Sequence, residues 1–324
     1  MQPMASTKSY NSKIVNLAIP NILSNLSVPL LGAVDTAIVG RLDELYYLGA
    51  IAVGSLVFDF IFWAFGFLRM GTTGLVAQAL GVANHQMIQN LWLRVALFGS
   101  VLGLALIVLQ NPIAHWSLII ISPSAEVAQY ATEYIRIRIW AAPATLLLYG
   151  MNGWFLGMQN ARIPMIITIV LNIINLVLNV VFVLVLDWKV AGIAFGSVIA
   201  SYLGLFLALG FFFQSYAKRW ASGWWREWQK SDFWEPLTWK EWLGVNRDIF
   251  IRTLCLIFAY AYFTTTSARA GDLVLATNTI LLQLWYISSY GIDGFAYAAE
   301  SLSGMYWGQK NFEAFKQVVR KTMQ

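Results

Sequence analysis

Cysteine is almost absent from this chain. The single residue, Cys255, stands inside an apolar run, so no internal disulfide can form and nothing is implied about redox compartment. Only two histidines occur, His85 and His115, in or near connecting segments. With no Cys/His cluster and no HExxH, a transition-metal site has no support. Charge is scarce too: 11% of residues are Asp, Glu, Lys or Arg, against about 25% in soluble domains. No Ser/His/Asp set, phosphate loop or paired-carboxylate motif stands out, which argues against an enzyme. What remains is apolar. Hydrophobic residues make up 59% of the 324, with 15 Trp and 14 Tyr, the rings that favour bilayer interfaces. This is the composition of an integral membrane protein. The net charge of +5 sits in loops between apolar runs and reads as a topology signal, not a nucleic-acid surface.

A span needs about 20 mostly apolar residues. Eight stretches qualify: 14–40, 47–81, 91–110, 130–149, 163–186, 190–213, 249–268 and 273–307. The fold class expected is all-α, a polytopic membrane helical bundle. The first apolar run is too long for a signal peptide and no cleavage site follows it. Orientation follows the positive residues. With the N-terminus in the cytoplasm, that side receives Lys8, Lys13, Arg94, Arg162, Lys218, Arg219, Arg226, Lys230, Lys240, Arg247, Lys310, Lys316, Arg320 and Lys321. The opposite side receives Arg41, Lys189 and Arg269. Arg69, Arg136, Arg138 and Arg252 are left inside spans or at their edges.

Three regions are expected: a six-span unit over 1–213, a basic Trp-rich cytoplasmic linker over 214–246, and a partial second unit over 247–324 with two spans and the start of a third. The linker, rich in Trp (WASGWWREWQKSDFWEPLTWKEW), reads either as amphipathic segments lying at the interface or as an ordinary loop. The two units resemble each other. LGAIAVGSLV from Leu48 aligns with LATNTILLQL from Leu275, and Gly81 aligns with Gly308, both at an offset of 227. Internal repeats are a common plan of secondary transporters. Completing the second copy takes about a hundred more residues by repeat logic, so the chain is expected to be a fragment or a shortened member.

Polar groups inside the apolar runs are the candidate site. SVPLLGAVDTAIVG carries Asp35, and a charge at helix centre costs roughly 2.5–3.5 kcal/mol on insertion scales. LNIINLVLNVVF carries Asn172, Asn175 and Asn179, spaced to share one helical face. Two readings stay open: hydrogen bonds that only hold helices together, or an ion or substrate site. Ser197 and Ser201 in GIAFGSVIASY serve close packing or supply oxygen ligands to a hard cation. Asp293 and Glu300 lie seven residues apart, near one face. Asp59 in the second span and Arg69 at its end are further intramembrane charges, and a satisfied ion pair is the plain reading of any of these. Glu133, Arg136 and Arg138, with Tyr134 among them, lie near a span start, where snorkelling is the default.

Three stretches also carry a family resemblance: VDTAIVGRLDELYYLGAIAVGSLVFDFIFWAFGFLRMGTTGLVAQALG, NRDIFIRTLCLIFAYAYFTTTSARAGD and YGIDGFAYAAESLSGMYWGQ. Taken together they resemble the MATE (multidrug and toxic compound extrusion) family, in its DinF branch, over essentially the whole chain. The resemblance implies two six-helix lobes around a central cavity, the chain holding the first lobe and the first helices of the second. It implies an antiporter that exports organic, often cationic or amphiphilic, compounds against protons or sodium ions. The coupling set it implies is Asp35, Asn175, Asn179, Ser197 and Tyr134, with Asp293 or Glu300 as a second-lobe acid and a helix-one bend at Pro20 or Pro29. The family's usual Asp falls on Asn179 here. That loss of a carboxylate weakens the case for sodium at the Asp35 site and favours protons. No organic cofactor is implied. The partners expected are small organic substrates and membrane lipids, with no nucleic acid and a monomeric state for a full-length protein. The location implied is a bacterial inner membrane, N-terminus cytoplasmic. Two rivals remain. One is a truncated, non-transporting membrane protein. The other is a lipid-linked precursor flippase of the wider superfamily, which should show a cavity rich in Arg and Lys and is disfavoured because the few intramembrane arginines lie near span ends. Asp35 is expected within hydrogen-bonding reach of Asn175 or Asn179, directly or through one water.

Overall fold

A computed structural model describes residues 7–40, 44–216, 233 and 235–324. Every regular element in them is helical. The helices are α1 (Thr7–Val39), α2 (Leu45–Ala64), α3 (Phe67–Gly81), α4 (His85–Val108), α5 (Gln110–Ile121), α6 (Ala125–Arg138), α7 (Ala142–Gly157), α8 (Arg162–Val180), α9 (Lys189–Ser215), α10 (Pro236–Arg269), α11 (Asp272–Gly308) and α12 (Phe312–Thr322). Five helical stretches are long and apolar enough to cross a membrane: Leu45–Gly81, His85–Val108, Arg162–Val185, Lys189–Ser215 and Thr238–Ser267. The other three expected spans are also helical, as α1, as α6 with α7, and as α11.

Two expected spans are jointed. The stretch 47–81 is α2 and α3, separated by a tight turn at Phe65 and Gly66. The stretch 130–149 falls across α6, a 3-10 turn at Ile139–Ala141 and α7, whose second residue is Pro143. Proline is at home in a first helical turn, where its missing N–H would lack a partner anyway. Two prolines lie inside α1, yet the helix runs unbroken through both. Each withholds one N–H, so the carbonyls of Asn16 and Asn25 lose their usual i+4 amide. α8 closes in a π-turn, Val181–Val185, immediately after Asn179.

Packing between the helices depends on small residues, as it must where lipid removes the hydrophobic drive. α7 lays Gly150 against the Val95 side chain of α4, and Gly153 and Gly157 against the backbone carbonyls of Arg69 and Thr73 on α3. Large rings fill the space beside them: Trp154 is fully buried and donates to the Ile88 carbonyl at 3.1 Å.

The offset of 227 reappears in the backbone. Ala83 and Lys310 both take positive φ, 53° and 55°. The next residues, Asn84 and Asn311, both cap the following helix, accepting from Met87 N at 2.9 Å and Ala314 N at 3.1 Å. The two copies meet along α3 and α11 in a reciprocal contact. A Cβ on Gly81 would run into the Met305 carbonyl, and a Cβ on Gly308 into the Gln78 carbonyl. Each pair is the other shifted by 227, so a local two-fold relation connects α3 and α11.

Most of the linker expected over 214–246 lies outside the described residues. Its described end packs into the helices. Phe233 and Trp242 are buried, with Trp242 edge-on to Phe98 of α4 at 5.1 Å. Arg94, counted above only as a cytoplasmic charge, is 5% exposed and reaches the Thr238 hydroxyl at 2.6 Å and the Phe233 carbonyl at 3.2 Å. Burial turns this topological marker into a pin between α4 and the start of α10.

Candidate ion and substrate site

A polar seam runs where α8 packs between α1 and α9. On α8, residues three and four apart share a face, and this seam is where that face goes. Asn175 donates from Nδ2 to the Ser197 hydroxyl of α9 at 3.0 Å. Asn179 donates from Nδ2 to Asn175 Oδ1 at 3.1 Å. Ser201 donates to the Ser197 carbonyl at 2.8 Å. All four side chains are buried, Asn179 completely. Gly196 makes room for the chain, since a Cβ there would overlap Asn179 Oδ1.

The third asparagine turns the other way. Asn172 donates to the Ser27 hydroxyl of α1 at 2.8 Å, which sets the register of the two helices. They run parallel, because Ile38 and Val39 at the end of α1 share a core cluster with Val183 beyond the end of α8. At 1.5 Å per residue, position 35 lies about 12 Å beyond Ser27 and Asn179 about 10.5 Å beyond Asn172, so the two backbones are nearly level. The Asp35 side chain is outside the described residues.

The seam is a buried chain of neutral hydrogen-bonding groups. Asn175, Asn179 and Ser197 are neutral, with spare oxygen lone pairs and no charge of their own. A carboxylate must come from elsewhere, and Asp35 is the acid of α1 whose backbone lies near that level. Among the described residues no group of three or more His, Cys, Asp or Glu gathers as a metal site.

Other expected residues lie apart from this chain of amides. Tyr134 is buried on α6 with its hydroxyl 3.4 Å from that of Ser55 on α2, and its ring occupies the space a Cβ on Gly54 would need. Pro20 is buried on α1 near Gly294 of α11, which lies against Ala18 and Ile22. Pro29 is half-buried further along. Asp293 and Glu300 are both half-buried on α11. Glu300 faces Arg69 of α3 at 3.9 Å, and the Arg69 guanidinium stacks on the Tyr297 ring at 3.8 Å. Sequence reasoning missed this pairing between the repeats, because no spacing within one helix encodes it. Arg69 is the third residue of α3, just past the turn at Phe65 and Gly66.

α11 is fastened to the first unit at several points. Gln159 donates to the Ser301 carbonyl and hydroxyl at 2.8 and 2.7 Å, and Lys13 of α1 donates to the Tyr306 hydroxyl at 3.0 Å.

Comparison with known proteins follows this geometry. Residues 20–181 match the MatE family. The chain is 39% identical over 308 residues to DNA damage-inducible protein F of Escherichia coli, covering 95% of this chain and 66% of that protein. It is 24% identical over 330 residues to a probable multidrug resistance protein NorM of Thermotoga maritima, covering 98% of this chain and 68% of the relative. Among solved structures, a crystal structure of MATE in the bent conformation superposes with a TM-score of 0.86 at 20% identity, covering 97% of this chain and 69% of the other. One in the straight conformation gives 0.84 at 21% identity, with the same coverage. At such identity the likeness shows the fold. The chain spans about two thirds of the length of these relatives.

Proposed function

The chain belongs to the MatE family, and we propose that it works as a cation-coupled secondary antiporter, driven by protons rather than sodium, that exports organic compounds of cationic or amphiphilic character. Its setting in this reading is a bacterial inner membrane with the N-terminus in the cytoplasm. The observation that carries the proposal is the buried chain Asn179–Asn175–Ser197 at the backbone level of Asp35. Buried polar residues facing a bundle interior are the equipment of proton and ion relays. The amides offer a bare sodium ion only neutral oxygens, whereas a proton needs one basic oxygen and neighbours that accept its hydrogen bond.

Protonation of Asp35 removes a charge from a seam whose other members are neutral. α1 is the element able to respond, because Pro20 and Pro29 interrupt its backbone ladder twice. A change in its bend moves α1 against α8 on one side and α11 on the other, which biases the rocking of the two units that opens alternate faces.

The test is Asp35→Asn, expressed from the complete gene in a strain stripped of its own exporters. Asn is nearly isosteric with Asp, so volume and insertion are preserved. Drug accumulation should rise to the level of the empty strain, and proton-driven efflux in reconstituted vesicles should disappear. Unchanged efflux removes Asp35 from the coupling step.

The flippase reading gains one observation. The Arg69 side chain is only 15% exposed, so the bundle interior can meet negative charge. Transport of a lipid-linked precursor by the reconstituted protein would favour that reading.

A further inference from the structure

We propose that Arg69 is the receptor for an anionic head group, a carboxylate carried on an apolar body, at the seam where Arg69 of α3 meets Tyr297 and Glu300 of α11, and that Glu300 is its displaceable internal counter-ion. The inference rests on the transport reading above and, within it, assigns this site to the amphiphilic compounds and not to the cationic ones.

Three observations carry it. The first is the state of Arg69. Its side chain is 15% exposed, and Nη1 is buried without a hydrogen-bond partner among the described residues. The Glu300 carboxylate stands 3.9 Å away, close enough to balance charge and too far for a hydrogen bond. The Tyr297 ring covers one face of the guanidinium at 3.8 Å, which steadies the cation and leaves its edge for bonding. A guanidinium fork held in this way matches a carboxylate in bidentate geometry, at distances about 1 Å shorter than the present pair.

The second observation is the charge count. Glu300 interacts electrostatically with Arg69 and with Arg252 of α10, and Asp293 with Arg69. Asp59 of α2 interacts with Arg138. Tyr149 of α7 interacts electrostatically with Asp59, Arg69 and Arg138, which couples the two sets. Arginine does not lose its proton in proteins. Three arginines against three acids therefore give zero net charge at most ionisation, and a positive charge when any acid is neutral. Negative charge never accumulates among these six groups, so they give a cationic ligand no net attraction. An anion is attracted whenever Glu300 is neutralised or swings aside.

The third is the match in charge. A monocarboxylate replaces the Glu300 carboxylate one for one and keeps the buried arginine neutralised. A phosphate dianion would overshoot.

The test uses the purified chain in lipid nanodiscs, with fluorescent pyrenebutyrate and its methyl ester as probes and empty nanodiscs to subtract partitioning. Glu300→Gln removes the competing carboxylate, and binding of the acid should tighten about tenfold. Arg69→Gln should weaken it about tenfold or more, as expected for the loss of a charge-assisted bidentate contact. The ester should bind equally to all three proteins. A gain in Glu300→Gln cannot come from misfolding, so that variant decides. No gain there, or an ester that follows the acid, overturns the proposal. Binding is read without transport, so this result stands apart from that of the Asp35→Asn efflux assay.

Discussion

Replacing Gly308 by Ala adds a methyl group that would meet the Gln78 carbonyl of α3. The obstacle is helix backbone and not the end of a flexible side chain, so the only relief is to separate α3 from α11. Overpacking of this kind costs about 1–3 kcal/mol. Alanine returns roughly 0.5–1 kcal/mol of helix propensity over glycine. The net loss is at most about 2.5 kcal/mol, and about 1 kcal/mol at mid-range. The local two-fold relation makes a second prediction of the same size, since Gly81→Ala drives its methyl into the Met305 carbonyl of α11. Two glycines on the same helices serve as controls. A Cβ on Gly74 of α3 or Gly291 of α11 meets nothing within 4 Å, so alanine there should stabilise by the propensity gain alone. The double variant Gly81→Ala/Gly308→Ala should cost less than the sum, because the first methyl already parts the helices for the second. Unfolding by sodium dodecyl sulfate titration of the protein in mixed micelles reads these differences. If Gly308→Ala and Gly291→Ala shift stability in the same direction by the same amount, the reciprocal backbone contact does not limit the packing of the two units.

The Asn175–Ser197 bond should show its worth in a double-mutant cycle with Asn175→Ala and Ser197→Ala. Coupling of about 0.6 kcal/mol, and no more than about 1.7, is typical of interhelical hydrogen bonds in membranes, and zero coupling would mean the bond at 3.0 Å adds nothing. Arg94→Gln should cost about 2–3 kcal/mol, since it removes charged hydrogen bonds to Thr238 and Phe233. It should also speed amide exchange in the first turn of α10, and unchanged exchange there would show that Arg94 does not hold this helix start.

Much of the site was legible because bilayer physics makes polar residues conspicuous. Asn175 and Asn179 stood out at helical spacing on an apolar segment, and they do share a buried bond. Asn172 shared that spacing, yet its bond goes to Ser27 on α1, because α8 is wedged between two helices and one broad face serves both. The repeat was readable from Gly81 and Gly308 because a helix end needs a residue tolerant of close approach, and both copies keep it.

Composition and hydrophobic run length by themselves determined the solvent, the helical class, the rough positions of the spans and the repeat, since each depends on local chemistry or on periodicity along one chain. Only the tertiary structure decided which groups meet. Arg69 and Glu300 are 231 positions apart, and no local pattern brings them to 3.9 Å. Arg94 changed from a loop charge to a buried pin because Thr238 and the Phe233 carbonyl stand in its way. Such pairings follow from how close two helices can come, and that closeness was set by glycines whose partners lie on other helices.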